Sequence, residues 1–198
     1  MFKRIYFRKT EDMQYLSHRD FLRFLERLFK ISKVPILYSK GFHPRPKMSF
    51  GNPISIGEEA LYEPFDIELK ESIDNNELIK RLNFKAPKGF EILESYDIDG
   101  RTSIVSSWNA CLFEIEFELT KDLESILELL NKDKVIEERE KNGVKKIRDL
   151  KVNVVSYEKK YENKIEISLS SISPNAFIRI ANIDQKFIKI KRIKYCNC

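Results

Sequence analysis

The chain has only two histidines, His18 and His43, and each stands in a short polar cluster. His18 lies in Ser17-His18-Arg19-Asp20, and His43 lies between Phe42 and Pro44. An imidazole exchanges protons near neutral pH, so two that converged would make an acid–base pair. The plainer alternative is that His18 serves the start of a helix while His43 holds an anion or a water. No catalytic nucleophile and no carboxylate pair is evident, so no catalytic residue is assigned.

The second cluster is Phe42-His43-Pro44-Arg45-Pro46-Lys47-Met48-Ser49-Phe50-Gly51. Each proline pushes the residue before it out of the helical region, so His43 and Arg45 are expected to be extended. In an extended chain alternate side chains share a face. Phe42, Pro44, Pro46, Met48 and Phe50 then form an apolar side, and His43, Arg45, Lys47 and Ser49 a polar, cationic one. Such a stiff comb suits an anionic partner, because its groups are ordered before binding. An extended connection with one packed side and one wet side remains the other reading.

A third cluster lies on the helix expected after Ser17. Arg19, Arg23, Arg27 and Lys30 fall within an arc of about 80° at 100° per residue. That arc is opposite Phe21, Leu25 and Leu28. It reads either as a solvated face, with Asp20 near Arg23 and Glu26 near Lys30, or as an anion-binding face, for which the planar fork of arginine is well suited. Together the clusters give a candidate anion- or substrate-binding set of Ser17, His18, Arg19, Arg23, Arg27, Lys40, His43, Arg45 and Lys47. Residues 186–194 add five basic residues and no acidic one, either as further nucleic-acid surface or as protection of an edge strand.

Other chemistries lack their signatures. There is no glycine-rich phosphate loop, no Gly-x-Ser-x-Gly and no His-x-x-x-His. The acidic residues Glu58, Glu59, Glu63 and Asp66 are not spaced as a cation site. Cys196 and Cys198 form a Cys-x-Cys tail without the further ligands a soft metal needs. No metal ligand and no cofactor is therefore assigned. Three cysteines and no apolar run of about 18 residues fit a reducing, cytoplasmic setting with no membrane span.

The 198 residues carry a net charge of +5, but unevenly: +8 in residues 1–50, −7 in 51–100, −2 in 101–150 and +6 in 151–198. Basic ends raise the expectation of a polyanionic partner. With 42% hydrophobic and 12% aromatic residues the chain has enough apolar material for real cores.

The elements that must hold these clusters follow from periodicity. Residues 3–8 read as a strand, 17–32 as a helix stopped by Pro35, and 36–39 as a second strand. Residues 61–69 read as a third strand, 75–82 as a helix and 89–98 as a fourth strand. Strand–helix–strand–strand–helix–strand is the split βαβ order of ferredoxin-like folds. Asp99-Gly100 marks a turn. A similar order follows: strand 110–120, helix 122–130, strand 135–140, an Asn142-Gly143 turn, a return strand 145–150, strand 164–169, helix 174–180 and strand 187–195. The expectation is an α+β protein of two ferredoxin-like halves, residues 1–100 and 101–198, with antiparallel sheets and helices on one face. One larger fused sheet is the alternative. Tyr96 and Trp108 are expected in the core near the boundary.

Tyr15-Leu-Ser-His-Arg-Asp-Phe-Leu-Arg-Phe-Leu-Glu-Arg27 and Pro35-Ile-Leu-Tyr-Ser-Lys-Gly-Phe-His-Pro-Arg-Pro-Lys-Met-Ser-Phe-Gly51 resemble the bacterial radical SAM-linked protein family. The likeness is close over residues 1–70 and rests on element order beyond. It implies a domain fused to, or encoded beside, a radical SAM enzyme, and so an accessory role with that enzyme as partner. The chain has no Cys-x-x-x-Cys-x-x-Cys to hold the cluster of such chemistry. The residues add an expected task, presentation of an anionic substrate such as RNA. Duplicated ferredoxin-like folds with a histidine also resemble CRISPR repeat-processing endoribonucleases, which cleave RNA without metal, although the glycine-rich loop of those enzymes is missing here. An adaptor that docks an acidic partner is a third possibility.

Overall fold

In a computed structural model, which describes residues 1–100, 103–141 and 143–197, the N-terminal alternation becomes strand β1 (Phe2–Lys9). Its inward side is Lys3, Ile5, Phe7 and Lys9, all buried, and the opposite side carries Arg4, Tyr6 and Arg8. Helix α1 (His18–Ile31) starts where its cap requires. Ser17 Oγ accepts from the Asp20 N–H at 3.2 Å and donates to the Asp20 carboxylate at 2.6 Å, satisfying a backbone donor that the first turn leaves open.

The helix ends in a Schellman motif. Val34 N–H reaches Phe29 O at 3.1 Å and Lys33 N–H reaches Lys30 O at 3.2 Å, with Lys33 left-handed at φ 52°. The chain then forms β2 (Met48–Phe50), β3 (Glu58–Glu68), helix α2 (Asn75–Lys85) and β4 (Phe90–Ile98). Asp74 caps α2 by accepting from the N–H groups of Asn76 and Glu77 at 2.9 and 3.0 Å. The strands lie in the order β4-β1-β3-β2, every neighbouring pair antiparallel. Phe21, Leu25, Leu28 and Phe29 of α1 and Leu78 and Leu82 of α2 share one core with Ile5, Phe7, Phe65, Ile67, Phe90 and Ile92 of the strands. Each such side chain contributes about 1.5–3 kcal/mol by leaving water.

The expected second strand at 36–39 is reduced to single bridges, Ile36 with Leu69 and Tyr38 with Pro46. Pro46 has no N–H to extend that ladder. In its place β2, within the second half of the proline-rich segment, pairs with β3 on the side away from β1.

The chain divides into two compact units, Met1–Trp108 and Asn109–Cys198, with the short helix α3 (Ile104–Ser107) at the end of the first. The second contains β5 (Ala110–Phe117), α4 (Thr120–Leu130), β6 (Ile136–Lys141), β7 (Val144–Asp149), β8 (Val154–Tyr161), β9 (Lys164–Leu169), α5 (Asn175–Ile180) and β10 (Ile188–Cys196). Its main strands lie in the order β10-β5-β9-β8, again antiparallel. β6 and β7, expected as a strand and its return strand across a turn, pair with each other and form a two-stranded sheet of their own. Asn142 of the expected turn lies outside the described residues, as does Cys198.

Strand β8, which has no clear periodic signal, takes the place beside β9. All but its first residue are exposed, so the apolar alternation that reveals a half-buried strand is missing. The whole is a mixed α+β protein built mainly of antiparallel sheet. Among the described residues no helix is long and apolar enough to cross a membrane.

Candidate functional site

The basic side of α1 is as exposed as its spacing demands. Arg19, Arg23, Arg27 and Lys30 all face solvent, while Phe21, Leu25, Leu28 and Phe29 are buried. Arg23 reaches Asp20 at 3.4 Å and Lys30 reaches Glu26 at 3.1 Å.

The proline-rich segment comes to this face as a pinched loop. Ser39 N–H donates to Arg45 O, Lys47 N–H to Leu37 O (both 2.8 Å), and Arg45 N–H to Ser39 Oγ at 3.0 Å. The chain between these ties projects, turning at Gly41 (φ 131°), so Lys40, Phe42, His43 and Pro44 are exposed and Phe42 is wholly uncovered. The comb is thus regular only in its second half. Pro46 is buried, Met48 and Phe50 are half-buried, and Phe50 stacks on Phe65 with centroids 5.4 Å apart. Phe42 and Pro44 do not join them, because the turn at Gly41 carries the chain away from the packed surface.

Glu26 joins the two elements. Its carboxylate accepts from Lys30 at 3.1 Å and from Arg45 at 3.3 Å, so the loop's arginine lies against the basic side of the helix. Lys47 is directed elsewhere, to Glu68 of β3 at 3.0 Å. Ser17 is engaged in the cap. His18 begins α1, about 18 Å along the axis from Lys30, and its ring meets Phe50 edge-on with centroids 5.7 Å apart. Among the described residues no hydrogen bond or ring contact joins His18 to His43.

His18 instead lines a small cavity of about 20 Å³ with Lys9, Phe21, Phe50, Asn52 and Glu63, room for about one water. Lys9 and Glu63 are buried, and Lys9 Nζ lies 5.7 Å from the Phe21 ring centre. Lys9 is a member of this site that periodicity alone passes over. Its signal is a lysine in register with Ile5 and Phe7 on the inward face of a strand.

The acidic residues near β3 serve separate ends. Asp66 holds Arg4 through two bonds of 2.8 and 3.0 Å, Glu58 accepts from Ser55 N–H, and Glu59 from Glu11 N–H. Among the described residues no group of three or more His, Cys, Asp or Glu is placed to hold a metal ion. On the outer side of the β4-β1-β3 sheet Tyr6 stacks on Tyr62 at 4.4 Å, and the hydroxyls of Tyr62 and Tyr96 both donate to Glu94. Burial, and then the bond to Glu94, push the Tyr62 hydroxyl up to about 12. Tyr96 is half exposed rather than in the core. The basic C-terminal segment is also more engaged than its composition suggests. Lys191 pairs with Glu114, and Arg192 is buried over the Phe113 ring.

Fold and surface together define an α+β protein of antiparallel sheets that carries an exposed basic helix and loop. The sequence model of the family described as "uncharacterized protein conserved in bacteria" (DUF2344) matches residues 3–179, and the chain belongs to that family. No curated protein matches it.

Proposed function

We propose that this protein is an accessory binding protein acting beside a radical SAM enzyme, and that it presents an anionic substrate, RNA, on the face formed by α1 and loop 39–47. The observation that carries the reading is Glu26, which draws Arg45 and Lys30 together and so merges two basic elements remote in sequence. Phe42 stands uncovered at the loop tip among Lys40, His43 and Arg45. A basic surface with an exposed ring is the combination that holds single strands, through phosphate contacts and base stacking. The enzyme partner rests on the resemblance of residues 15–27 and 35–51.

The same proposal reads each unit as a ferredoxin-like fold. The support is that the first, second, third and fourth strands of each unit, with the β6–β7 hairpin set aside as an insertion, stand in the order 4-1-3-2.

The test is anisotropy of a labelled single-stranded RNA at low salt with the wild type and the Arg23→Ala/Arg45→Ala variant. Weaker binding by the variant is expected, and equal binding by both proteins overturns the reading. Cleavage of structured RNA without divalent metal, abolished by His18→Ala, would replace it with the endoribonuclease. Co-purification with the radical SAM protein at high salt separates apolar docking from charge docking.

A further inference from the structure

We propose that the convergent arginines of β6, β7 and α5 form a second anion site, a cradle for a phosphate group, on the hairpin side of the second unit. Its centre is Glu137, whose side chain is 5% exposed. The carboxylate accepts from Arg139 Nε at 3.0 Å, Arg148 Nε at 2.5 Å and Arg179 Nη2 at 2.9 Å. The hairpin register explains two of the three. Glu137 stands opposite Arg148 and Arg139 opposite Lys146, so these four side chains share one face. Arg179 reaches the same carboxylate from α5.

The charge balance is what points to a ligand. Tying the hairpin to α5 requires one arginine on Glu137, yet three guanidiniums meet there with Lys146 on the same face. Like charges gathered around one carboxylate repel one another, and a single negative charge cannot neutralise them. Glu138 at the rim offsets part of the surplus and still leaves it positive.

The three arginine side chains are 50%, 43% and 46% exposed. Each has five N–H donors in a planar fork, so donors remain beyond those given to Glu137. Because Glu137 already holds the forks in place, little side-chain freedom is left to lose when an anion arrives. Forked donors around a tetrahedral oxyanion are the usual means of holding phosphate. Arg139 and Arg179 line an open cleft of about 510 Å³ with Ile136, Glu138 and Ile180 in its walls, large enough for a phosphate and a small attached group, and Arg148 meets them at Glu137. This site does not depend on the α1 surface.

Phosphate chemistry could come from a free phosphorylated metabolite or from an RNA backbone, and pyrophosphate and a short single-stranded RNA serve as the two probes. Calorimetry with pyrophosphate at low salt is expected to show saturable binding to the wild type, weakened at least tenfold in Arg148→Gln/Arg179→Gln. Because removing both arginines strips Glu137 of counter-charge, Arg148→Lys/Arg179→Lys is measured alongside. It keeps the charge, loses the fork, and is expected to weaken pyrophosphate at least threefold with an unchanged melting midpoint.

If the RNA weakens in parallel while Arg23→Ala/Arg45→Ala leaves pyrophosphate binding intact, the cradle serves the RNA backbone. If only pyrophosphate weakens, it serves a small phosphorylated molecule. Absence of pyrophosphate binding to the wild type, or equal binding to the wild type and the lysine variant, makes the arginines a joint between hairpin and helix and overturns the proposal. Neither result bears on α1.

Discussion

Replacing Glu26 by glutamine is expected to tighten RNA binding, the opposite sign from most changes at a functional surface. Glu26 lies between Lys30 at 3.1 Å and Arg45 at 3.3 Å, and its side chain is 17% exposed. Glutamine keeps the shape and an acceptor and removes one negative charge. A phosphate about 5 Å away would be relieved of about 0.8 kcal/mol of repulsion in a water-like dielectric, roughly a fourfold gain in affinity. The salt dependence should change as well. Arg19, Arg27 and Lys40 carry no ion pair among the described residues and Arg23 only an exposed one at 3.4 Å, and four phosphate contacts give a slope of about −3 for a single strand. Freeing Lys30 and Arg45 brings the slope to about −4. The two lost ion pairs are largely exposed on their cationic side, so stability should fall by no more than about 1 kcal/mol. Anisotropy of a single-stranded RNA across a salt series reads both quantities. Unchanged or weaker binding, with an unchanged slope and an intact fold, would refute the role given to Glu26 and to the merged basic face.

Three further outcomes test the framework. Gly89→Ala should cost at least about 3 kcal/mol in denaturant unfolding, since φ is 84° and the new Cβ would lie 2.5 Å from Thr10 O; a loss below about 1 kcal/mol would contradict the close approach. Lys33→Gly should raise the denaturation midpoint, by about 0.5–1 kcal/mol with an unchanged slope, because Lys33 is the left-handed residue after α1; no gain would mean that the strain is absent. Tyr62, pushed up to about 12 from an unfolded value of about 10, holds its proton more tightly when folded. Its contribution is complete below pH of about 10 and is lost as the pH rises through about 12. Phenolate absorbance should therefore lose its latest step in Tyr62→Phe, and an unchanged titration would remove the bond from Tyr62 to Glu94 as a cause of the shift.

Much of the fold was legible because amphipathic periodicity is local. The run from Phe21 to Phe29 announces a helix with one buried side, and Ser17 with Asp20 marks its start. β8 was hidden for the same reason, since its exposed residues carry no alternation. β6 and β7 were recognisable as a strand and its return strand, but not as a sheet of their own, because which sheet edge a hairpin joins depends on which edge is reachable. In the site, the arc of Arg19, Arg23, Arg27 and Lys30 followed from spacing alone. The buried Lys9 beside His18 required the packing of β1 against Phe21 and the chain around Phe50.

By itself the sequence determined the types and order of most elements, the cap and basic side of α1, and the excess of cations in the first fifty residues. Only the tertiary structure decided that the proline-rich loop lies against that helix through Glu26, that Phe42 stands in solvent, and that three arginines close on Glu137. Spacing along a chain dictates which side chains share a face of one element. Which charges meet depends on residues 19 or 42 positions apart, brought together only when the apolar faces have packed.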